Sequence, residues 1–326
     1  MLLARDGQHL YGLAPNLWLT THPDFYEIDS ITHQPKSPFD WTDARKLNYN
    51  NVALADSMIA AMKFWITDTD IDGFRCDVAP GVSEKFWVRC IDSLKKQKNI
   101  FMLAEGDKPW LHMAGFDQTY GWADFSMMKL IAKGDRKATA LDSILTNSDT
   151  AYPKNALRLQ FTSNHDENSW NKADYATMPG ESHAPFAVIT QTIKNSVPLI
   201  YSGQEEPVLD SISFFYKNPI LFGKYQRADF YKKLLNLRTS NASLAANASF
   251  TKLASSNNDA VYAFVREKNG KKVFVVTNLS KNPVTISIAN NLIAGDATEL
   301  FSGRTETLKA NQSISLKPWG YLVYSY

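Results

Sequence analysis

Short apolar runs alternate with stretches of helical apolar spacing from Asn51 to Leu237. Across residues 51–67, Val52, Leu54, Ala55, Met58, Ile59, Met62, Phe64 and Trp65 recur close to every third or fourth position, which predicts a helix. Residues 71–79 then read as a strand, and 83–96 as a helix opened by Ser83, with Phe86, Trp87, Ile91 and Leu94 on one side. Residues 100–105 form a nearly all-apolar strand. The alternation continues with a strand at 118–123, a helix at 125–133, a strand at 157–162, a helix at 184–194, a strand at 197–201 and a helix at 228–237. Strands that are apolar on both faces and alternate with helices predict a parallel sheet covered on both sides, hence an α/β fold.

The texture changes after Asn241. Residues 261–266, 271–278, 284–288, 299–301, 313–316 and 321–324 are short alternating segments separated by Asn-Gly, Asn-Pro, Ala-Gly and Ser-Gly. They predict a separate antiparallel β-sandwich, with the boundary in the polar, small-residue stretch 239–249. The chain is thus expected to divide into residues 1–245, an α/β part that includes a loop segment at 16–50, and residues 246–326, an all-β part.

Composition adds mainly exclusions. A net charge of +2 over 326 residues, with no Lys/Arg run longer than two, gives no field that would recruit nucleic acid or an anionic membrane. There is no 18-residue apolar run to cross a bilayer, and Arg5-Asp6 interrupts the start before any signal-peptide core. That leaves the cytoplasm as the default expectation, and the periplasm or exterior if the true start lies upstream. Cys76 and Cys90 fall in a strand and its following helix, so two buried thiols are expected rather than a disulfide. Aromatics reach 12%, most of them expected in the core, with some left to line a cleft where flat rings stack on sugars.

Three carboxylates stand at strand-end positions: Asp77, Glu105 and Asp166. In a βα barrel the loops after the strands share one mouth, so groups there converge. A lone Asp after a strand is usually a cap or turn residue; three in register, flanked by Arg75 and His165, point to chemistry. A retaining glycosidase needs an ionised carboxylate as nucleophile and a protonated carboxyl as acid and then base, roughly 5 Å apart. Arg75 lies on the same side of its strand as Asp77 and would keep that carboxylate ionised. Glu105 emerges from an apolar strand, where desolvation raises a carboxyl pKa. Asp166 and His165 would then hold sugar hydroxyls, while Asn164 is expected to fix the turn before them. Trp110, Tyr120, Trp122 and Trp170 are the rings nearest these carboxylates in sequence. Any one is more often core than subsite, and one or two are expected to stack on glucose.

The segments Gly73-Phe74-Arg75-Cys76-Asp77-Val78-Ala79, Leu103-Ala104-Glu105 and Thr162-Ser163-Asn164-His165-Asp166 resemble the fourth-, fifth- and seventh-strand motifs of the α-amylase family, glycoside hydrolase family 13. Leu47-Asn48-Tyr49-Asn50 and Tyr201-Ser202-Gly203-Gln204-Glu205 are similar to further family segments, and the chain resembles in particular α-amylases of the starch-degrading Bacteroides type. The resemblance implies strands 4 to 8 of a TIM (β/α)₈ barrel followed by the family's C-terminal β-domain. It implies hydrolysis of α-1,4-glucans, starch or maltooligosaccharides, with Asp77 as nucleophile and Glu105 as acid/base.

Two departures qualify what is implied. The family's third-strand motif, Asp-x-x-x-Asn-His, has Leu10-Tyr11 in place of Asn-His behind Asp6, and strands 1 to 3 have no counterpart. Pro80-Gly81 replaces the Lys-His that follows the fourth strand in many members. An N-terminally truncated reading of a longer enzyme is therefore expected, with open sheet edges prone to self-association. No cofactor is expected, calcium being implied only for a full-length parent. The competing readings are a transglycosylase or α-1,6-glucosidase of the same family and, from a different class, a non-catalytic glucan-binding chain.

Overall fold

The computed structural model describes residues 4–5, 17–41, 44–171, 178, 180–208 and 210–326. Asp6, Leu10 and Tyr11, singled out above, lie outside the described residues. The chain falls into two compact units, residues 1–120 and 121–326.

In the first unit, helix α1 (Val52–Thr67) begins where the Asn51 side chain accepts from Ala53 N at 2.9 Å and Leu54 N at 3.2 Å. Leu54, Ala55, Met58, Ile59, Met62 and Ile66 are its buried stripe. Strand β1 (Gly73–Cys76), helix α2 (Glu84–Lys95) and strand β2 (Phe101–Ala104) follow, with Ser83 capping α2 as its sequence predicts. Strand β3 (Gln118–Tyr120) completes three parallel strands in the order β1-β2-β3. Phe86, Trp87, Cys90, Ile91 and Leu94 of α2 meet the α1 stripe in one apolar core, joined by Phe25, Tyr26 and Leu47 from the segment before α1, which was expected as a loop but holds a short helix, Leu17–Thr21, and a 3-10 turn, Pro23–Phe25. Cys76 and Cys90 are free and buried there, and burial pushes both thiols up to about 12.

The strand expected over 118–123 stops at Tyr120, and helix α3 (Trp122–Lys133) begins two residues on. Trp122 and Phe125 are three apart, so a helix puts both rings on one side, 6.3 Å between centroids, where a strand would send them to opposite faces.

In the second unit, α4 (Leu141–Ala151) precedes β4 (Leu157–Gln160), which pairs in parallel with β5 (Ser196–Pro198). Between them lie α5 (His165–Asn171) and α6 (His183–Thr192); α7 (Ala228–Ser240) closes the α/β part. The five expected parallel strands are therefore present, three in one unit and two in the other. Only Leu141 of α4 is buried, so this helix had no apolar stripe by which to be read.

The remaining chain is antiparallel. Strands β6 (Ser249–Leu253), β7 (Val261–Lys268), β8 (Lys271–Asn278), β10 (Gly295–Glu299), β11 (Thr305–Leu308) and β13 (Tyr321–Ser325) form a six-stranded sheet, order β11-β10-β13-β8-β7-β6. Strands β9 (Val284–Ile286) and β12 (Ile314–Leu316) pair separately, and residues of both sheets share one apolar core, the sandwich that was expected. The strand expected at 299–301 instead ends at Glu299, whose carboxylate accepts from Phe301 N and Ser302 N and turns the chain back. Arg266 on β7 is fully buried and donates to the carbonyls of Ser249, Ala245 and Thr192 at 2.7–2.8 Å. No helix among the described residues is long and apolar enough to cross a membrane.

Candidate active site

The parallel register pairs Arg75 with Leu103 and Cys76 with Ala104. The next residue on each strand is therefore Asp77 and Glu105, leaving the sheet side by side at about the 4.8 Å interstrand spacing. That closeness brings their carboxyls within hydrogen-bonding reach of each other. Arg75 bridges them: Nη1 donates to Asp77 Oδ1, and Nη2 lies 3.2 Å from Glu105 Oε2. Its Nε donates to the Tyr120 hydroxyl at 3.3 Å, and the guanidinium carbon stands 5.6 Å from the centre of that ring. Tyr120, read above as a ring near the carboxylates, is buried and steadies the arginine.

The turn after β1 closes on Glu105. Val78 N donates to Glu105 Oε2 at 2.7 Å, Ala79 N to Glu105 O at 3.0 Å, and Glu105 N to Cys76 O at 2.9 Å. Val78 adopts φ 39°, ψ 48°, a left-handed conformation that a β-branched residue takes only under compulsion from its surroundings. Pro80, at one of the two departures, packs on Gly106, where an added Cβ would lie 2.5 Å from the proline ring.

These surroundings drive the two carboxyls apart. For Asp77, burial favours the neutral form, but the Arg75 hydrogen bond and charge outweigh it and hold the carboxyl below its usual range. For Glu105, burial dominates and raises the carboxyl, against the pull of Val78 N–H and Arg75, with the charge of Asp77 adding to the rise. The Glu105 side chain is 13% exposed and that of Asp77 46%; burial acts on both, and only at Asp77 is it outweighed, by the Arg75 hydrogen bond and charge.

In the second unit, Asp166 stands in the first turn of α5. Asn164 is buried and its Oδ1 accepts from Asp166 N at 3.0 Å and Glu167 N at 2.9 Å, the turn-fixing role expected of it. His165 Nε2 lies 3.3 Å from Asp166 Oδ2. Burial, and then the Asp166 charge, raise the Tyr201 phenol, so that hydroxyl sits within the field of Asp166. Lys129 lies 3.4 Å from Glu167, a tie from α3 to the turn that bears Asp166. No sequence signal marks Lys129 as part of a site; Val78 and Tyr201 lie in the motif segments quoted above, but their contacts were not read from them. Trp110 packs half-buried against the first unit's core, Trp122 meets Phe161 edge-on at 5.1 Å, and Trp170 is exposed.

Thus the first unit brings together Arg75, Asp77, Glu105 and Tyr120, and the second carries Asp166, His165, Trp122 and Trp170. Among the described residues no group of three or more His, Cys, Asp or Glu is arranged to hold a metal ion.

Residues 4–218 match the α-amylase catalytic domain, and residues 250–323 match the C-terminal domain of maltogenic amylases. The α-amylase MalA of Haloarcula japonica is 25% identical over 318 residues, covering 90% of this chain and 45% of that protein. Neopullulanase 2 of Thermoactinomyces vulgaris is 28% identical over 251 residues, covering 72% of this chain and 41% of its own length. The chain spans about half the length of the curated relatives it matches. The crystal structure of a maltogenic α-amylase, AmyB from Thermotoga neapolitana, shares the fold with a TM-score of 0.85 at 22% identity, over 95% of this chain and 74% of that one. The chain belongs to the α-amylase family of glycoside hydrolases.

Proposed function

We propose that this member of the α-amylase family supplies the acid/base and nucleophile corner of a retaining hydrolase of α-1,4-glucans. The observation that carries the reading is the Asp77–Glu105 pair: two carboxyls on adjacent parallel strands, bridged by one arginine, with pKa values displaced in opposite directions. Glu105 gives its proton to the glycosidic oxygen as the C1–O bond breaks, and Asp77 bonds to C1. Water then attacks C1, gives its proton to Glu105, and Asp77 leaves with its electron pair. Arg75 keeps Asp77 anionic, the Val78 N–H orients Glu105, and Asp166 with His165 grips the sugar hydroxyls as the ring flattens. Of the candidate rings, Trp170 is exposed four residues after Asp166 and is the one proposed to stack on glucose, while Tyr120 backs Arg75.

Release of reducing ends from soluble starch tests the reading, with Glu105→Gln as the control. A chain that turns over starch and loses that turnover on the substitution supports it. Equal near-zero rates, with starch still retarding the chain in an affinity gel, overturn it in favour of a glucan-binding chain. The boundary near residue 245 is part of the same proposal, supported by the end of α7 at Ser240 and the separate domain match from 250. So is self-association through the edge of β1, which has a strand on one side only among the described residues. Light scattering that finds a monomer at every concentration would remove that last element.

A further inference from the structure

Between β5 and α7, residues 210–227 run as an irregular excursion. It turns rings outward: Phe214 is 45% exposed, Phe215 56%, Phe222 44% and Tyr225 51%. Trp170, on α5 and 60% exposed, joins the first two, its ring centre 5.4 Å from that of Phe214 and 6.3 Å from that of Phe215. Buried apolar rings need no special account, but a cluster exposed in one place does.

The excursion is held in place by polar groups. The buried Asn168 accepts from Ile212 N at 2.8 Å and donates to Asp210 O at 3.4 Å, and Ser169 Oγ donates to Ile212 O at 2.8 Å. At the return, the Glu206 carboxylate accepts from Gly223 N, Lys224 N and Tyr225 N at 2.9–3.1 Å. Ser213 N donates to Asn218 Oδ1 at 3.0 Å within the tip. A surface fixed in this way presents its rings without first having to order them, the condition for stacking to yield affinity.

We infer that Trp170, Phe214 and Phe215 form a stacking platform for an α-glucan chain, an extension of the proposed glucan site and dependent on that reading. Asp166 and Trp170 are four residues apart on α5 and so share a face of the helix. A chain gripped at Asp166 therefore meets the platform next. A pyranose offers apolar C–H faces rimmed by hydroxyls, and the platform offers ring faces among the exposed polar residues Asp210, Ser211 and Asn218. The Trp170 and Phe214 planes are turned 36° from each other, which suits an α-1,4 chain whose successive sugar faces also turn.

The test uses the Glu105→Gln chain, so that amylose is bound without being consumed, and follows its retardation in gels of increasing amylose. Phe214→Leu with Phe215→Leu keeps apolar bulk but removes both ring faces. It is expected to raise the half-retarding amylose concentration about tenfold, with the thermal midpoint unchanged. Asn168→Ala, which frees the tip, is expected to weaken retardation in the same direction. Retardation unaltered by the double leucine variant overturns the platform, as does a ring-dependent dimer that amylose does not disperse. The outcome is separable from the proposed reaction. A chain without hydrolysis whose retardation needs the rings sinks the catalytic reading and keeps the platform, whereas an active chain whose retardation ignores the rings does the reverse.

Discussion

The surroundings of Asp77 and of Asp166 solve one problem, fixing a carboxylate, by two different means. Asp77 leaves the end of a strand into a cluster of charge: Arg75, Glu105 and, behind the arginine, Tyr120. Its protonation is tied to that of its neighbour. Asp166 sits in a helical first turn, set by backbone N–H groups that converge on one neutral side chain, Asn164. The first arrangement fixes its carboxylate through charged partners, the second through a neutral side chain that orders the backbone beneath it.

The largest expected effects fall on the charged pair. Glu105→Gln and Asp77→Asn should each lower starch turnover by about 1,000-fold or more. The two should separate on aryl maltosides with good leaving groups. The glutamine variant recovers much of its first step, because no proton is then needed, and the asparagine variant does not. Equal recovery would break the division of roles.

Arg75→Ala is expected to cost about 100-fold in kcat/KM and, more tellingly, to move the pH profile. On the proposed reading the active form has Asp77 ionised and Glu105 protonated. Activity therefore falls as pH drops through the depressed Asp77 value and as it rises through the elevated Glu105 value. Arg75 lowers both, so its loss should carry both limbs of the bell to higher pH. A profile that merely shrinks would place Arg75 outside the proton chemistry.

Asn164→Ala tests the other corner. Loss of a buried helix cap should destabilise the fold by about 1 kcal/mol, read from denaturant unfolding, and lower affinity for glucan while leaving the pH limbs where they are. Smallest of all, Lys129→Met removes an ion pair with Glu167 and should change stability by roughly 0.5 kcal/mol or less. A large effect of the lysine on kcat would mean that the Asp166 turn is tuned electrostatically after all, and would erase the contrast.

Sequence reading succeeded where the pattern and the physics coincide. Strands β1 and β2 are short, apolar and followed at once by Asp77 and Glu105, so the side-by-side exit of the pair was legible from alternation alone. Ser83 announced itself as a cap by type and place, and Asn164 as the residue that fixes the turn before His165, though the helix His165–Asn171 that it opens was not expected. The failures have physical causes. Strands β6 and β11 are the two edges of their sheet, bonded on one side and largely polar, and carry no apolar run to read. The Val78 turn was invisible because its conformation contradicts the preference of its residue and is imposed by Glu105 and the adjoining strands. The roles of Tyr120 and Lys129 depend on partners 45 and 38 residues away in the chain, which no local pattern encodes.

Arg266 has a consequence for how this fold tolerates change. Its three hydrogen bonds go to backbone carbonyls, and none goes to a carboxylate. Burial pushes its guanidinium down to about 10, still charged at neutral pH. A carbonyl is the same whatever side chain its residue bears. The arginine therefore reads the course of the main chain through Thr192, Ala245 and Ser249 and is indifferent to the identities found there. Residues around it are free to drift while the geometry stays registered, a device suited to a fold retained at 22% identity.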